Sequence, residues 1–141
     1  MTAYVDASVL LRIALRQPNG LREWTQINRA VSSALIETES LRTLDRLRLR
    51  AQLSDADVAV RRHAILSIVA SLELVEIDAA VLDRAAQPTP TELGTLDAIH
   101  LSSALLWRES TGEALAMATH DRALAVGAQA YGMRVLGIAA A

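Results

Sequence analysis

The sequence predicts an α/β fold, a three-layer sandwich in which a short parallel sheet of about five strands is flanked by about seven helices. Short apolar runs alternate along the chain with longer segments of helical periodicity. Hairpin signals are almost absent, so consecutive strands are expected to be connected by helical crossovers. The chain of 141 residues is long enough to bury one core and too short for two. We therefore expect residues 1–141 to form a single domain.

The strands are predicted from short, β-prone apolar runs. The first run covers residues 2–6 and ends in Asp6, and a helix with Ser8 as its N-cap is expected to follow at once. A Pro-Asn-Gly sequence at residues 18–20 then interrupts the helical pattern. The other four strands are expected at residues 30–33, 74–77, 114–119 and 134–138.

Capping residues and proline locate the remaining helices and the main loop. Two short helices are expected over residues 21–29 and 79–86, and two prolines favour a loop over residues 87–91. The longer helices are expected to start at Ser32 or Ser33 and reach about residue 52, at Ser54 and reach residue 71, at Thr95 and reach residue 109, and at Asp121 and reach residue 130.

Composition excludes several classes of protein. Apolar residues make up 52% of the chain and aromatic residues 3%, so aliphatic side chains must form the core. The absence of cysteine excludes disulfides, thiol catalysis and cysteine-ligated metals. Neither a signal-peptide pattern nor an apolar run of about 18 residues is visible, so we expect a cytoplasmic protein that does not associate with a membrane.

Charge is a weak argument against binding of nucleic acid by bulk attraction. The formal net charge is −2. All fourteen basic residues are arginine, whose planar fork suits phosphate, although a GC-rich genome would explain the same bias. Arg42, Arg46 and Arg50 form a stripe at helical spacing. Arg42 and Arg46 are candidate contacts to phosphate groups, and the alternative is a solvated face with the pairs Arg42–Asp45 and Arg46–Glu39.

Four acidic residues occupy equivalent positions in the predicted topology. Asp6 and Asp121 follow strands, whereas Glu39 and Asp97 lie in the first turns of helices. In a parallel sheet these positions share one edge, so the carboxylates are expected to converge. Their mutual repulsion would require a hard divalent cation such as Mg²⁺ or Mn²⁺, which activates water for hydrolysis of a phosphodiester.

Each of these acids also has a structural interpretation when it is taken alone. Asp121 can be an N-cap, Asp97 can complement a helix dipole, and Glu39 can pair with Arg42. A structural role is hardest to argue for Asp6, because an acid at the end of an apolar strand is often buried or part of a site.

The sequence around the acids resembles VapC-type PIN-domain ribonucleases, the toxins of type II toxin–antitoxin pairs. The resemblance extends from residue 2 to about residue 138, and its LDAIHL segment is the most specific. The four matching segments are YVDASVL at residues 4–10, SSALIETESLR at 32–42, LDAIHL at 96–101 and THDRAL at 119–124.

The resemblance implies a PIN-like fold and a set of functional residues. Asp6, Glu39 and Asp97 match the core metal-binding catalytic acids, and Asp121 matches a fourth acid that is less uniform in the family. The hydroxyls that match positions beside these acids belong to Ser8 and Thr119. His100 is interpreted as a packing residue, and Glu37 as peripheral because it lies about 200° around the helix from Glu39.

The resemblance also implies an activity and partners. The activity is a Mg²⁺- or Mn²⁺-dependent endoribonuclease that hydrolyses phosphodiester bonds in tRNA, rRNA or mRNA and leaves 3′-hydroxyl and 5′-phosphate ends. The partners are the RNA substrate, a small cognate antitoxin and a second copy in a homodimer, which a larger toxin–antitoxin assembly can include.

Two other classes of function remain to be compared with this one. The alternative is a catalytically weak PIN-like module that acts through a protein partner or by binding nucleic acid. A receiver-type signalling domain shares the predicted α/β pattern, but such a domain needs a lysine near its acids, and this chain contains none.

Overall fold

The computed structural model describes residues 1–138, which form a five-stranded sheet, six α-helices and one 3-10 helix. The strands are β1 (Thr2–Val5), β2 (Arg29–Ser33), β3 (Glu73–Val75), β4 (Ala116–Ala118) and β5 (Val135–Leu136). The helices are α1 (Ala7–Ala14), the 3-10 helix (Arg22–Gln26), α2 (Ile36–Ala51), α3 (Asp55–Ala70), α4 (Ala79–Ala85), α5 (Thr95–Thr111) and α6 (Arg122–Ala130).

All pairs of neighbouring strands are parallel, and the strand order is β3-β2-β1-β4-β5. From β1 the chain adds β2 and β3 on one side, and it then returns to add β4 and β5 on the other side. The connections diverge at the carboxyl ends of β1 and β4, which is where α/β sheets usually carry their sites. The predicted parallel α/β fold is confirmed.

The sheet separates two apolar layers because successive side chains of a strand point to opposite faces. Ala3 and Val5 of β1 pack with residues of α1, α2 and α3, whereas Tyr4 packs with residues of α5 and α6. All three side chains are fully buried. Each fully buried aliphatic side chain of the size of valine contributes about 1.5–3 kcal/mol. The central strand is therefore held from both sides, which fixes the position of Asp6 at its end.

The prediction of a helix over residues 21–29 is wrong. Only the 3-10 helix forms there, and β2 already begins at Arg29, which pairs with Thr2 of β1. The Arg29 guanidinium bonds Glu73 at 2.9 Å and Glu113 at 2.8 Å. Glu73 and Glu113 lie 44 and 84 positions from Arg29 in the sequence, so local periodicity could not predict these ion pairs.

Two of the predicted N-caps also differ from the structure. Asp6, not Ser8, occupies the N-cap position of α1, and the Ser8 hydroxyl bonds the Asp6 carboxylate instead. Helix α2 begins only at Ile36, because the Ser32 hydroxyl donates to the Val5 carbonyl and the Ser33 hydroxyl accepts from the Leu35 amide. The hydrogen bonds of both serines therefore stabilise the end of β2 rather than the start of the helix.

The other predicted helix starts agree with the structure. Ser54 accepts a hydrogen bond from the Asp57 amide, and Asp121 accepts one from the Leu124 amide. Helix α5 begins at Thr95 and extends to Thr111, two residues further than predicted. No helix within residues 1–138 is both long and apolar enough to cross a membrane.

Candidate active site

The four predicted acids lie at the carboxyl edge of the sheet. Asp6 directly follows β1 and is 5% exposed, and Asp121 directly precedes α6 after β4. Glu39 lies in the first turn of α2, and Asp97 lies in the first turn of α5. The Asp6 amide donates to the Ala118 carbonyl at 3.0 Å, which joins the ends of β1 and β4.

Asp6 is held by two hydroxyl groups. Its Oδ2 accepts hydrogen bonds from Ser8 Oγ at 2.7 Å and from Thr119 Oγ1 at 2.9 Å. The same hydroxyl oxygens accept hydrogen bonds from the backbone amides of His120 at 3.0 Å and Asp121 at 2.9 Å. The two amides fix the direction of each hydroxyl, so the orientation of the Asp6 carboxylate is determined by both strand ends.

Glu39 is held by two successive hydrogen bonds that run through buried side chains. His100 Nε2 lies 2.5 Å from Glu39 Oε1, and His100 Nδ1 lies 2.7 Å from the Tyr4 hydroxyl. The imidazole is fully buried, and its Nε2 is 4.0 Å from Asp6 Oδ1. Burial lowers the pKa of His100, but the hydrogen bond and the charges of Glu39, Asp6 and Asp97 together raise it above its ordinary value.

His100 therefore does more than the packing role that the sequence predicts. It joins the first turn of α2 to the buried face of β1, and it places a positive or hydrogen-bonding group between two acids. Its spacing of three residues from Asp97 is the only local sign of this, since residues at i and i+3 share a helix face. Tyr4, which sequence analysis did not single out, completes the chain.

The pKa of Asp97 reflects its interaction with the other three carboxylates. Partial burial and the charges of Asp121, Asp6 and Glu39 together raise its pKa to about 6, although the charge of His100 lowers it. Repulsion from three other acids means that all four belong to one electrostatic site. Without a cation, the site disfavours the fully ionised state.

The donor set suits a hard divalent cation, although the side chains are not arranged as a finished coordination shell. Within residues 1–138, no three acidic or histidine side chains lie close enough together to hold a metal ion. Asp6, Glu39 and Asp121 turn oxygens toward protein donors instead. Carboxylate oxygens are nevertheless the preferred ligands of Mg²⁺ and Mn²⁺, and the mutual repulsion of the acids is what a cation would relieve.

Sequence analysis left two roles open for Asp121, helix cap and metal ligand; the structure shows the cap, and substitutions test the metal role. Asp121→Ala should lower the free energy of unfolding by about 1 kcal/mol, because the Leu124 amide loses its cap. Asp121→Ser keeps a good capping residue, so its stability should stay within about 0.5 kcal/mol of the wild type. Urea unfolding measures both.

The activity of the same two variants tests the second role. If Asp121 holds metal, both variants lose RNA cleavage, although only the alanine variant is destabilised. Full cleavage by Asp121→Ser would show that Asp121 is a helix cap and nothing more.

The predicted arginine stripe makes local contacts on α2. Arg42 pairs with Asp45 at 3.1 Å, as the alternative interpretation expects. Arg46 does not pair with Glu39 and instead donates to Thr43 Oγ1 at 3.1 Å. Binding of RNA by Arg42 and Arg46 remains a proposal. Glu37 is exposed, in agreement with the peripheral position expected for it.

Comparison with known proteins identifies the family to which the fold belongs. The family model described as PIN domain matches residues 3–129, and the chain therefore belongs to the PIN-domain family. Ribonuclease VapC46 of Mycobacterium tuberculosis H37Rv is 34% identical over 136 residues, which cover 94% of this chain and 95% of that protein. The resemblance to VapC-type PIN-domain proteins is confirmed.

Proposed function

We propose that this protein is the toxin of a type II toxin–antitoxin system and acts as a divalent-metal-dependent endoribonuclease. The observation that carries the proposal is the placement of Asp6, Glu39, Asp97 and Asp121 at the carboxyl edge of a PIN domain, where the other three acids help to raise the pKa of Asp97. The similarity to Ribonuclease VapC46 over 94% of the chain supports ribonuclease chemistry.

The proposal assigns a role to each side chain at the edge. Asp6, Glu39, Asp97 and Asp121 would hold Mg²⁺ or Mn²⁺. A cation there supplies Lewis-acid activation of water and offsets the negative charge that develops on the phosphate. Ser8 and Thr119 keep one oxygen of Asp6 engaged, so that carboxylate enters the reaction in one orientation.

His100 and Tyr4 hold Glu39 in place from the buried side of the site. Tyr4 fixes the imidazole through Nδ1, and Nε2 then fixes one oxygen of Glu39. Their burial excludes water from the side of the site that faces the core. RNA therefore approaches only from the solvent side, where Asp97 and Asp121 are partly exposed.

The remaining features belong to the same proposal. The product ends are a 3′-hydroxyl and a 5′-phosphate, and the substrate is a tRNA, rRNA or mRNA. A small cognate antitoxin inhibits the enzyme, residues 1–141 form one domain, and the toxin works in the cytoplasm as a homodimer or within a larger toxin–antitoxin assembly.

Metal add-back tests this proposal. Purified protein is incubated with total cellular RNA in EDTA, and excess Mg²⁺ or Mn²⁺ is then supplied. We expect cleavage only after the metal is added, and ligation-based sequencing should recover the new 5′ ends without prior phosphorylation. Cleavage that proceeds in EDTA, or ends that cannot be ligated without a kinase, would contradict it.

A further inference from the structure

A cavity of about 670 Å³ lies beside the acidic site and has a basic lining. Three of its lining residues are arginines from three separate elements: Arg12 of α1, Arg22 of the 3-10 helix and Arg122 of α6. Among the described residues, Glu23 is the one acid that lines it, so the formal charge of the described lining is +2 from three arginines and one glutamate. The whole chain carries −2. The lining of the cavity is therefore positive, whereas the chain as a whole is negative.

The cavity and the acidic site are adjoining parts of one surface. Ser8, which donates to Asp6, and Arg12 are four residues apart on α1, so they share a helix face about one turn, or about 5.4 Å, apart. On the opposite side, the His120 amide donates to Ser8 at 3.0 Å, and His120 also lines the cavity. A chain molecule that leaves the acids along α1 therefore enters the cavity.

The three arginines are available to a ligand. None of them forms an ion pair with a carboxylate in the part of the chain that the structure describes, whereas Arg29, Arg42 and Arg84 each do. Within residues 1–138, Arg12 donates only to the backbone carbonyl of Asn19, at 3.1 Å. Arg22 and Arg122 are exposed. Guanidinium groups without a carboxylate partner keep their fork of donors free for an anion.

Close packing at Gly137 and a hydrogen bond from His120 define the wall of the cavity where it meets the strands. Gly137 has a φ of +99°, and a Cβ atom there would lie 2.5 Å from the Thr119 carbonyl oxygen. Its own carbonyl accepts a hydrogen bond from His120 Nδ1 at 2.8 Å. His120 Nε2 is buried and has no hydrogen-bond partner within residues 1–138. A buried polar atom without a partner is costly, so this wall holds a polar group that the described residues leave unsatisfied.

We propose that Arg12, Arg22 and Arg122 hold the backbone phosphate of a nucleotide that neighbours the scissile phosphodiester in the substrate RNA. The proposal rests on the proposed ribonuclease function. Four carboxylates repel a polyanion, so RNA needs cations close to the site to stay in place, and this cavity provides unpaired ones one helical turn away. Contacts to phosphate position a strand without reading its sequence, and arginine forms them bidentately.

Salt-dependent binding tests the proposal. Wild type and the triple variant Arg12→Ala, Arg22→Ala and Arg122→Ala are titrated into a fluorescein-labelled single-stranded 12-nucleotide RNA in EDTA, between 50 and 200 mM salt. Loss of the one neutralised phosphate should reduce the slope of log K against log salt by about 0.7 and weaken binding at 50 mM salt by about ten-fold or more. Arg62→Ala, an exposed arginine of α3 outside the cavity, should change neither.

Two further binding measurements identify which group of the ligand the three arginines contact. A single-stranded DNA of the same sequence should lose as much affinity as the RNA, because a phosphate contact ignores the sugar. An RNA-specific loss would overturn the proposal, since the arginines would then contact ribose or base. Loss of binding to poly-glutamate with unchanged binding to RNA would also overturn it and point to an acidic protein segment.

Two controls separate failure of the proposal from failure of the proposed function. Circular dichroism and thermal unfolding of the triple variant should match those of wild type, and Arg12→Lys should keep the charge but lose part of the affinity. Cleavage of total RNA with Mg²⁺ is scored separately. A wild type that cleaves RNA while the triple variant binds it with unchanged affinity and salt slope would overturn this site and leave the nuclease in place.

Discussion

Replacing Asp97 with asparagine should reduce RNA cleavage by about 10³-fold or more. The substitution preserves the shape of the side chain and removes one of the four charges proposed to hold metal, an effect worth several kcal/mol in a phosphoryl-transfer transition state. Initial rates on a fixed RNA pool with Mg²⁺ measure the loss. Asp83→Asn makes the same chemical change at an exposed position of α4 and should leave the rate unchanged.

The same variant should be more stable than the wild type in the absence of metal. The pKa of Asp97 is about 6 in the folded protein, against about 3.9 in an unfolded chain. A raised folded pKa gives stability that is complete below about pH 4 and is lost as the pH rises through about 6. Because the side chain is half exposed and solvent screens it, about 1 kcal/mol of destabilisation should remain at pH 7.5.

Thermal unfolding in EDTA checks this expectation. The melting temperature of the wild type should fall between pH 5 and pH 7.5, and Asp97→Asn should be higher by about 3–4 °C at pH 7.5. Its own fall over that range should be smaller, because only the raised pKa of His100 then contributes. A wild-type melting temperature that is flat from pH 5 to pH 7.5 would show that the acids do not repel one another in the folded protein.

Growth inhibition by Asp97→Asn distinguishes an enzyme from a binding module. A nuclease stops inhibiting growth when Asp97 is neutralised, provided that the cognate antitoxin is absent. A catalytically weak module that acts by binding keeps its effect. Retained inhibition by a variant with no measurable cleavage would favour the binding module.

Replacing His100 with alanine should have the largest effect on stability, about 2–4 kcal/mol. The change leaves a cavity in a fully buried position and removes the partner of both Glu39 and the Tyr4 hydroxyl. Urea unfolding measures the loss. His63→Ala, at an exposed position of α3, should stay within about 0.5 kcal/mol of wild type.

Activity shows whether His100 also positions Glu39. His100→Gln retains a polar end directed toward Glu39 and should recover part of the cleavage that His100→Ala loses, measured where both variants are fully folded. Tyr4→Phe, which removes only the hydroxyl, should cost about 1–3 kcal/mol and leave measurable activity. Equal cleavage by wild type and His100→Ala at a temperature where both are folded would rule out the positioning role.

The position of the acids could be predicted because it follows from topology. A parallel sheet brings strand ends and helix starts to one edge, so Asp6, Glu39, Asp97 and Asp121 could be placed there from local patterns alone. The electrostatic coupling of Asp97 with the other three then appears in its pKa. The prediction depended on recognising strands and helices, and their ends were correct to within a few residues in most cases.

The contacts that orient these acids could not be predicted in the same way. His100 is 61 positions from Glu39 and 96 from Tyr4, so no local pattern joins them. The basic cavity likewise combines arginines from α1, the 3-10 helix and α6. Sequence analysis considered the arginines of α2 instead because they form a visible stripe, and in the structure one of them is paired with Asp45.

The most direct test of the central claim compares wild type, Asp97→Asn and Asp83→Asn in one RNA cleavage reaction, with EDTA and then with added Mn²⁺. The account predicts that wild type and Asp83→Asn cut RNA only after Mn²⁺ is added, and that Asp97→Asn cuts at least about 10³-fold more slowly at every Mn²⁺ concentration. Cleavage by Asp97→Asn at the wild-type rate, or cleavage by any of the three in EDTA, would contradict a metal-dependent site built on these acids.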